Sequence, residues 1–317
     1  MMLEIVELEL APLSLRRRPG GGVVSYARAF VRSLSEMCRR RPDVAVAFGS
    51  YASIPPALAA LSLGIPLVIH EQNVVPGRAN RLLAWAAMRC AVSFPETLSR
   101  VPSWGKKAVV TGNPLLRPPG EGDRREALVH FGLEEGRFTL GVVGGSQGAR
   151  TLNRAVREAV SLWAGRDDLQ LVHSVGEKDY GELAGLASRG DGGLIYRPFT
   201  FIERMDLLYE VADLMVCRAG AGTVSELAAY GCASILVPFP HAGGHQEDNA
   251  RVLAEAGAAL VCKDEEFNGR KLKDMVEELM ADGPRLEEMK RRAAARGRPG
   301  AAAALADLVL QVAGEGR

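Results

Sequence analysis

With 317 residues, 39 basic and 38 acidic, the chain is long enough for two domains of about 100–200 residues and carries no net field favouring nucleic acid. Five widely spaced cysteines, Cys38, Cys90, Cys217, Cys232 and Cys262, exclude a disulfide framework or paired zinc ligands and fit a reducing cytosol. No apolar run reaches the roughly 18 residues of a membrane span, so any membrane contact is expected at a surface.

Residues 3–10, LEIVELEL, read as an edge strand, because Glu4, Glu7 and Glu9 alternate with apolar positions. A basic, glycine-rich turn follows at 16–22. From Val23 to Arg40 the spacing of Tyr26, Phe30, Leu34 and Met37 predicts a helix with Arg28, Arg32 and Arg39 between the apolar positions. That pattern suits a helix packed on a core, and a helix lying near an anionic membrane surface at another depth. Short strand-like runs then alternate with helical ones: strands at 43–48, 66–70, 90–92 and 108–111, helices at 54–63 and 77–87. This rhythm predicts a parallel sheet covered by helices, with ligands at the carboxyl ends of the strands, where His70, Glu71, Gln72 and Asn73 fall. The plainer role for these four is to cap the next helix, through Asn73 or Asn80.

GNPLLRPPGEG at 112–122 reads as an interdomain linker, and the same rhythm then resumes. Strands are expected at 140–143, 169–175, 194–196 and 213–217, helices from Arg150 and over 203–210, and mainly helix from Asn268 to Val312. GGSQGA at 144–149 is a glycine turn in which backbone amides and Ser146 can approach an anion, although it has neither the dinucleotide nor the P-loop spacing. The stretch from Cys217 to Ala250 reads as strand end, glycine turn, helix, strand, polar loop and helix. Two helix N-termini there offer unpaired N–H groups to one anion. Arg218, Thr223 and Glu226 flank the first N-terminus, and His241, His245, Gln246 and Asn249 the second. Glu226, three residues after Thr223, also fits a capping box, and the histidines lack a third ligand for a metal. Cys217 reads as a small core residue.

The motifs RPDVAVAFGSYAS (41–53), GIPLVIHEQNVVPGRANRLLA (64–84), TGNP (111–114) and GGSQGARTLN (144–153) stand in order along the chain. They are followed by RPFTFIERMDLLYEVADLMVCRAGAGTVSE (197–226) and ILVPFPHAGGHQEDNA (235–250). Together they resemble the bacterial peripheral glycosyltransferases that form lipid II. The resemblance implies an α/β GT-B fold of two Rossmann-like domains facing a cleft: an acceptor-side domain at 1–114, a UDP-sugar domain at 115–296 and a returning C-terminal helix at 297–317. It implies UDP-N-acetylglucosamine as donor, undecaprenyl-linked lipid I as acceptor, and an inverting attack by the acceptor C4 hydroxyl without a metal or cofactor. Peptidoglycan synthesis at the cytoplasmic face of the cell membrane follows, in support of cell shape and division, with cell-wall synthesis proteins as further candidate partners.

Carried over by position, the backbone around Ile202 holds uracil with Phe201 beside it, Glu226 accepts the ribose hydroxyls, and Gly144, Gly145, Ser146 and Gly148 face the pyrophosphate. Gln246, His245 and Asn73 contact the sugar. Tyr26, Phe30, Arg28 and Arg32 form the expected membrane or acceptor surface. Members normally open with a GGTGGH-type loop whose histidine is the usual candidate base. This chain lacks the motif, so its catalytic base is unassigned and its first domain is expected to be incomplete. Where the family carries an arginine two positions after the proline of TGNP, this chain has Leu116, leaving Arg117 as a displaced phosphate candidate. A UDP-sugar-binding subunit of a split transferase and a UDP-sugar 2-epimerase are the alternative functions.

Overall fold

The computed structural model describes residues 5–8, 10, 21–120, 122–145, 149–189, 193–240 and 244–315. It divides into two compact units: Met1–Asn113 with Ala301–Arg317, and Pro114–Gly300.

Unit 1 starts with helix α1 (Gly21–Arg40), followed by β1 (Ala45–Ala47), α2 (Ile54–Ser62), β2 (Leu67–Glu71) and α3 (Arg78–Leu83). β3 (Arg89–Val92), α4 (Thr97–Arg100) and β4 (Ala108–Val110) complete its first pass. The four strands pair in sequence order and all run parallel. Helices on both faces explain why β2 is buried at every position. Leu67, Ile69, Cys90 and Val92 pack on one side with Leu83, Val101 and Trp104. Val68 and Ala91 point the other way, onto Leu305, Leu308 and Val312.

Residues 5–8 and 10 form no strand, contrary to the expectation for 3–10. β1 is an edge strand paired only with β2, so alternating glutamates without a ladder partner leave that segment irregular. In α1, Ala29 and Ser33 are buried and Tyr26, Phe30, Leu34 and Met37 are half-buried. The apolar periodicity therefore faces inward, and the exposed apolar positions of this helix are Val23, Val24 and Val31.

Unit 2 contains α5 (Arg124–Phe131), β5 (Phe138–Val143), α6 (Arg150–Leu162), β6 (Leu169–Ser174), α7 (Glu177–Ala184) and β7 (Ser188–Arg189). It continues through β8 (Ile195–Phe199), α8 (Met205–Val211), β9 (Leu214–Cys217), α9 (Ala221–Tyr230) and β10 (Ser234–Leu236). Next come α10 (His245–Glu255), β11 (Ala259–Val261), α11 (Gly269–Ala281) and α12 (Gly283–Arg296), before α13 (Ala301–Glu315) rejoins unit 1. The strand order is β11-β10-β9-β5-β6-β8-β7, parallel except for the β7–β8 pair.

α6 shows how the sequence builds this unit. Leu152, Ala155, Val156, Ala159 and Val160 recur at helical spacing, and all five are buried against strands such as β5 and β6. Trp163, just past the helix, is fully buried and donates its indole N–H to Glu277 at 3.1 Å. α9 ends at Gly231, whose φ of 67° places it in the left-handed region that glycine favours, and a Cβ there would approach Ala294 to 3.2 Å. Among the described residues, no helix is long and apolar enough to cross a membrane.

Candidate active site

In unit 2 the strand order runs outward in both directions from β5 and β9, which pair in register at Val143 and Cys217. Open parallel sheets bind ligands outside the carboxyl ends of their strands at such a switch point. The glycine turn leaves β5 here, and Gly145 adopts a φ of 87°. Arg218 and Gly220 leave the adjacent β9, while β10, paired at Leu236 with Cys217, leads toward α10.

Three helices follow these strands directly, and their N-termini share one property. α6, α9 and α10 begin at Ala149, Gly220 and Gly244, none of which supplies a side-chain cap. α5, α11 and α12 of the same unit are instead capped by Asp123, Asn268 and Asp282, while α7 and α8, whose cap positions are Gly176 and Arg204, also lack a side-chain cap but do not follow β5, β9 or β10. Uncapped N–H groups with the positive ends of helix dipoles suit a pyrophosphate.

Glu226 lies on α9, where its Oε2 accepts a hydrogen bond of 2.8 Å from the Tyr209 phenol. Burial raises the carboxyl above its ordinary range, an effect the Tyr209 hydrogen bond only partly offsets. The capping-box reading is thereby overturned, because the cap residue of α9 is Gly220 and the carboxylate is engaged with α8. Thr223 is half-buried in the first turn of α9.

Arg218 is 7% exposed, donates to the Val237 carbonyl at 3.0 Å and pairs with Asp264, with its guanidinium over the Phe239 ring. Asp264 also accepts from Thr151 Oγ1 at 3.0 Å, so Arg218 ties the ends of β9 and β10 to the start of α6. Gln246 Oε1 accepts from the Phe239 amide at 2.9 Å, and Asn249 Nδ2 donates to the Ala219 carbonyl. Among the described residues, His245 Nδ1, at the first position of α10, is buried without a hydrogen-bond partner. Past β8, Ile202 is 4% exposed and Phe201 60% exposed. Arg117 approaches Asp206 at 3.7 Å, and its carbonyl accepts from the Tyr230 phenol at 3.1 Å. Ser146, Gly148 and His241 lie outside the described residues, and Gly144 and Gly145 are described just before the first gap.

Asn73 belongs to unit 1, at the carboxyl end of β2. Beside it Glu71, 1% exposed, accepts from the Asn73 amide, Asn73 Nδ2, the Gly77 amide and Asn80 Nδ2. The His70 Nε2–H donates to the Gly112 carbonyl at 3.0 Å, leaving Nδ1 to accept from Gln72. Thus the buried carboxylate, more than either asparagine, organises the entrance to α3. Tyr26, Phe30, Arg28 and Arg32 are all on α1 of this unit, and both arginines are exposed.

Sequence reasoning missed a polar network behind the glycine turn. Asn153 Nδ2 donates to the Val175 carbonyl and to Asp179, so its Oδ1 faces His173 and accepts from Nε2 at 3.1 Å. His173 Nδ1 then accepts from the Tyr196 phenol at 3.0 Å. Complete burial lowers the imidazole pKa to about 3, so His173 is neutral. The signal present in the sequence was Asn153 at the end of GGSQGARTLN, three positions into an otherwise apolar-faced helix. Cys217 is fully buried, and desolvation pushes its thiol far up, as a core residue requires. Among the described residues, no group of three His, Cys, Asp or Glu side chains is placed to hold a metal ion.

The Glycosyltransferase family 28 C-terminal domain matches residues 139–305, and the Glycosyltransferase family 28 N-terminal domain matches residues 13–92. A curated relative from Acidothermus cellulolyticus is 42% identical, with 98% of this chain and 84% of that protein covered. One from Halothermothrix orenii is 36% identical, covering 96% and 84%. Both are named UDP-N-acetylglucosamine–N-acetylmuramyl-(pentapeptide) pyrophosphoryl-undecaprenol N-acetylglucosamine transferase. The crystal structure of Acinetobacter baumannii MurG superposes with a TM-score of 0.72 at 30% identity, covering 96% of this chain and 83% of that one. The UDP-GlcNAc 2-epimerase of Neisseria meningitidis, crystallised with UDP-GlcNAc, has a TM-score of 0.64 over 93% of this chain and 84% of its own. Its 12% identity makes that a likeness of fold alone. With both domain profiles matched in order and the relatives aligned over most of their length, the chain belongs to glycosyltransferase family 28, among the MurG transferases.

Proposed function

We propose that this chain is an N-acetylglucosaminyltransferase that moves the sugar from UDP-N-acetylglucosamine to the C4 hydroxyl of lipid I, forming lipid II for peptidoglycan. The observation that carries the donor side is the set of three uncapped helix N-termini around the β5–β9 switch point. In an inverting transfer the acceptor oxygen bonds to the anomeric carbon, the bond to UDP breaks, UDP leaves with the electron pair, and the acceptor loses its proton. Negative charge grows on the departing pyrophosphate, where fixed N–H dipoles stabilise it without reorganising. Glu226, a half-buried carboxylate in the middle of α9, suits paired ribose hydroxyls, and the segment around Ile202 suits an aromatic base.

Exposed side chains of unit 1 support a peripheral position at an anionic membrane face. Val23, Val24 and Val31 are exposed on α1 beside Arg28 and Arg32, and Leu82 and Trp85 are 62% and 88% exposed beside Arg81.

Incubating the purified chain with lipid I and UDP-N-acetylglucosamine should release UDP and form lipid II. UDP binding without turnover would favour a subunit of a split transferase, while conversion of the nucleotide sugar to its 2-epimer would overturn the assignment. The epimerase reading is the weaker one, since its support is the shared fold. In the same preparation, Glu226→Ala is expected to weaken UDP binding by about 1–3 kcal/mol in calorimetry. Unchanged affinity would remove Glu226 from the site.

A further inference from the structure

Glu226 is a half-buried carboxylate with one hydrogen-bond donor among the described residues, the phenol of Tyr209. Tyr209 is 5% exposed on α8 and is held from several sides. Its ring lies against Tyr230 with centroids 5.0 Å apart, and the Tyr230 phenol is fixed by its bond to the Arg117 carbonyl. Its own carbonyl accepts from the Cys232 thiol at 3.6 Å. Burial, with the Glu226 charge adding to it, pushes the Tyr209 phenol well above its ordinary range, so it stays a proton donor at physiological pH.

A glutamate side chain has three rotatable bonds, and two vicinal hydroxyls can be met together only by a carboxylate in one orientation. A phenol that occupies one lone pair of Oε2 fixes the carboxylate plane and leaves Oε1 and the remaining Oε2 lone pair for the ligand.

We infer that Tyr209 is a positioning residue for nucleotide recognition: it aims the Glu226 carboxylate at the 2′- and 3′-hydroxyls of the donor ribose without touching the nucleotide itself. The inference rests on the reading of Glu226 as the ribose acceptor. It connects α8 to α9, and through Tyr230 it makes the chain segment at Arg117 part of the support for nucleotide binding.

The test is calorimetry of the full chain with UDP and with 2′,3′-dideoxy-UDP. Tyr209→Phe keeps the ring and removes the donor. UDP affinity is expected to fall about tenfold, the scale of a hydrogen bond to a charged group, with dideoxy-UDP affinity within about twofold of the parent. Glu226→Ala should abolish the preference for UDP, and adding Tyr209→Phe to it should cost nothing more. Equal weakening of both nucleotides by Tyr209→Phe would assign Tyr209 to packing alone and overturn the inference, as would no weakening of either. Should Glu226→Ala retain the preference for UDP, the ribose reading itself falls and this role with it. Loss of preference in Glu226→Ala but not in Tyr209→Phe defeats the positioning role alone.

Discussion

At the end of β2 in unit 1, the Glu71 carboxylate collects four donors, three from its own loop and one from Asn80 on α3. At the ends of β5, β9 and β10 in unit 2, the helix N-termini are left without side-chain caps. The first arrangement spends a buried charge on holding a loop in shape. The second leaves backbone donors available to a ligand. Unit 1 also exposes Trp85 while burying Trp104, and Trp163 of unit 2 is sealed in its core. Two sheets of similar construction therefore divide the work, one using side chains to fix loops and surfaces, the other using the backbone to meet charge.

The strongest way to break this comparison is Glu71→Ala. Four donors, buried or half-buried, would lose their acceptor, and stability should fall by about 3 kcal/mol in urea denaturation followed by far-UV circular dichroism. A loss below about 1 kcal/mol would show that the loop holds its shape without the carboxylate.

A pH series sharpens the picture of unit 2. His173 is neutral in the folded chain, with a pKa near 3 against 6.5 for an ordinary histidine. Between these values the unfolded chain takes up a proton that the folded one refuses, so stability is lost as pH falls below 6.5. The loss attributable to His173 is at most about 1.4 kcal/mol per pH unit. His70 is also lowered, chiefly by burial, and acts in the same direction in unit 1. Denaturation at pH 7 and pH 5.5 should show a shallower decline for His173→Gln than for the parent chain. Equal slopes would mean that His173 is not the group refusing the proton.

The smallest stability effect is expected at the exposed face of unit 1. Replacing Leu82 and Trp85 together by serine should change unfolding free energy by no more than about 0.5 kcal/mol per site. Sedimentation with anionic phospholipid vesicles should nevertheless drop severalfold. Undiminished vesicle binding by the folded variant would move the membrane surface elsewhere.

Much of the fold was legible because it is written in local periodicity. α6 and the strands from β2 to β9, except the two-residue β7, announce themselves through apolar runs, and the glycine turn marks the passage from β5 into α6. α7 was missed because Leu183 is its one buried residue, so it has no apolar stripe to detect. β11 was missed as well: it runs from buried Ala259 to exposed Val261, so no buried face marks it. In the candidate site, the sequence identified Glu226 but not its partner, since Tyr209 lies 17 positions away on another helix. Separations of 20 and 46 positions likewise hid His173 from Asn153 and Arg218 from Asp264. Hydrogen bonds between side chains on different elements leave no periodic trace.

The last helix carries a consequence for synthesis. α13 supplies Leu305, Leu308 and Val312 to a face of the unit 1 sheet, whose strands were made some two hundred residues earlier, and Glu315 pairs with Arg89 at 3.2 Å. As the chain leaves the ribosome, unit 2 has all its strands and helices before the first unit has its final layer. Val68 and Ala91 lack this cover until α13 has emerged, which makes the interval before it the time when a chaperone has most to bind.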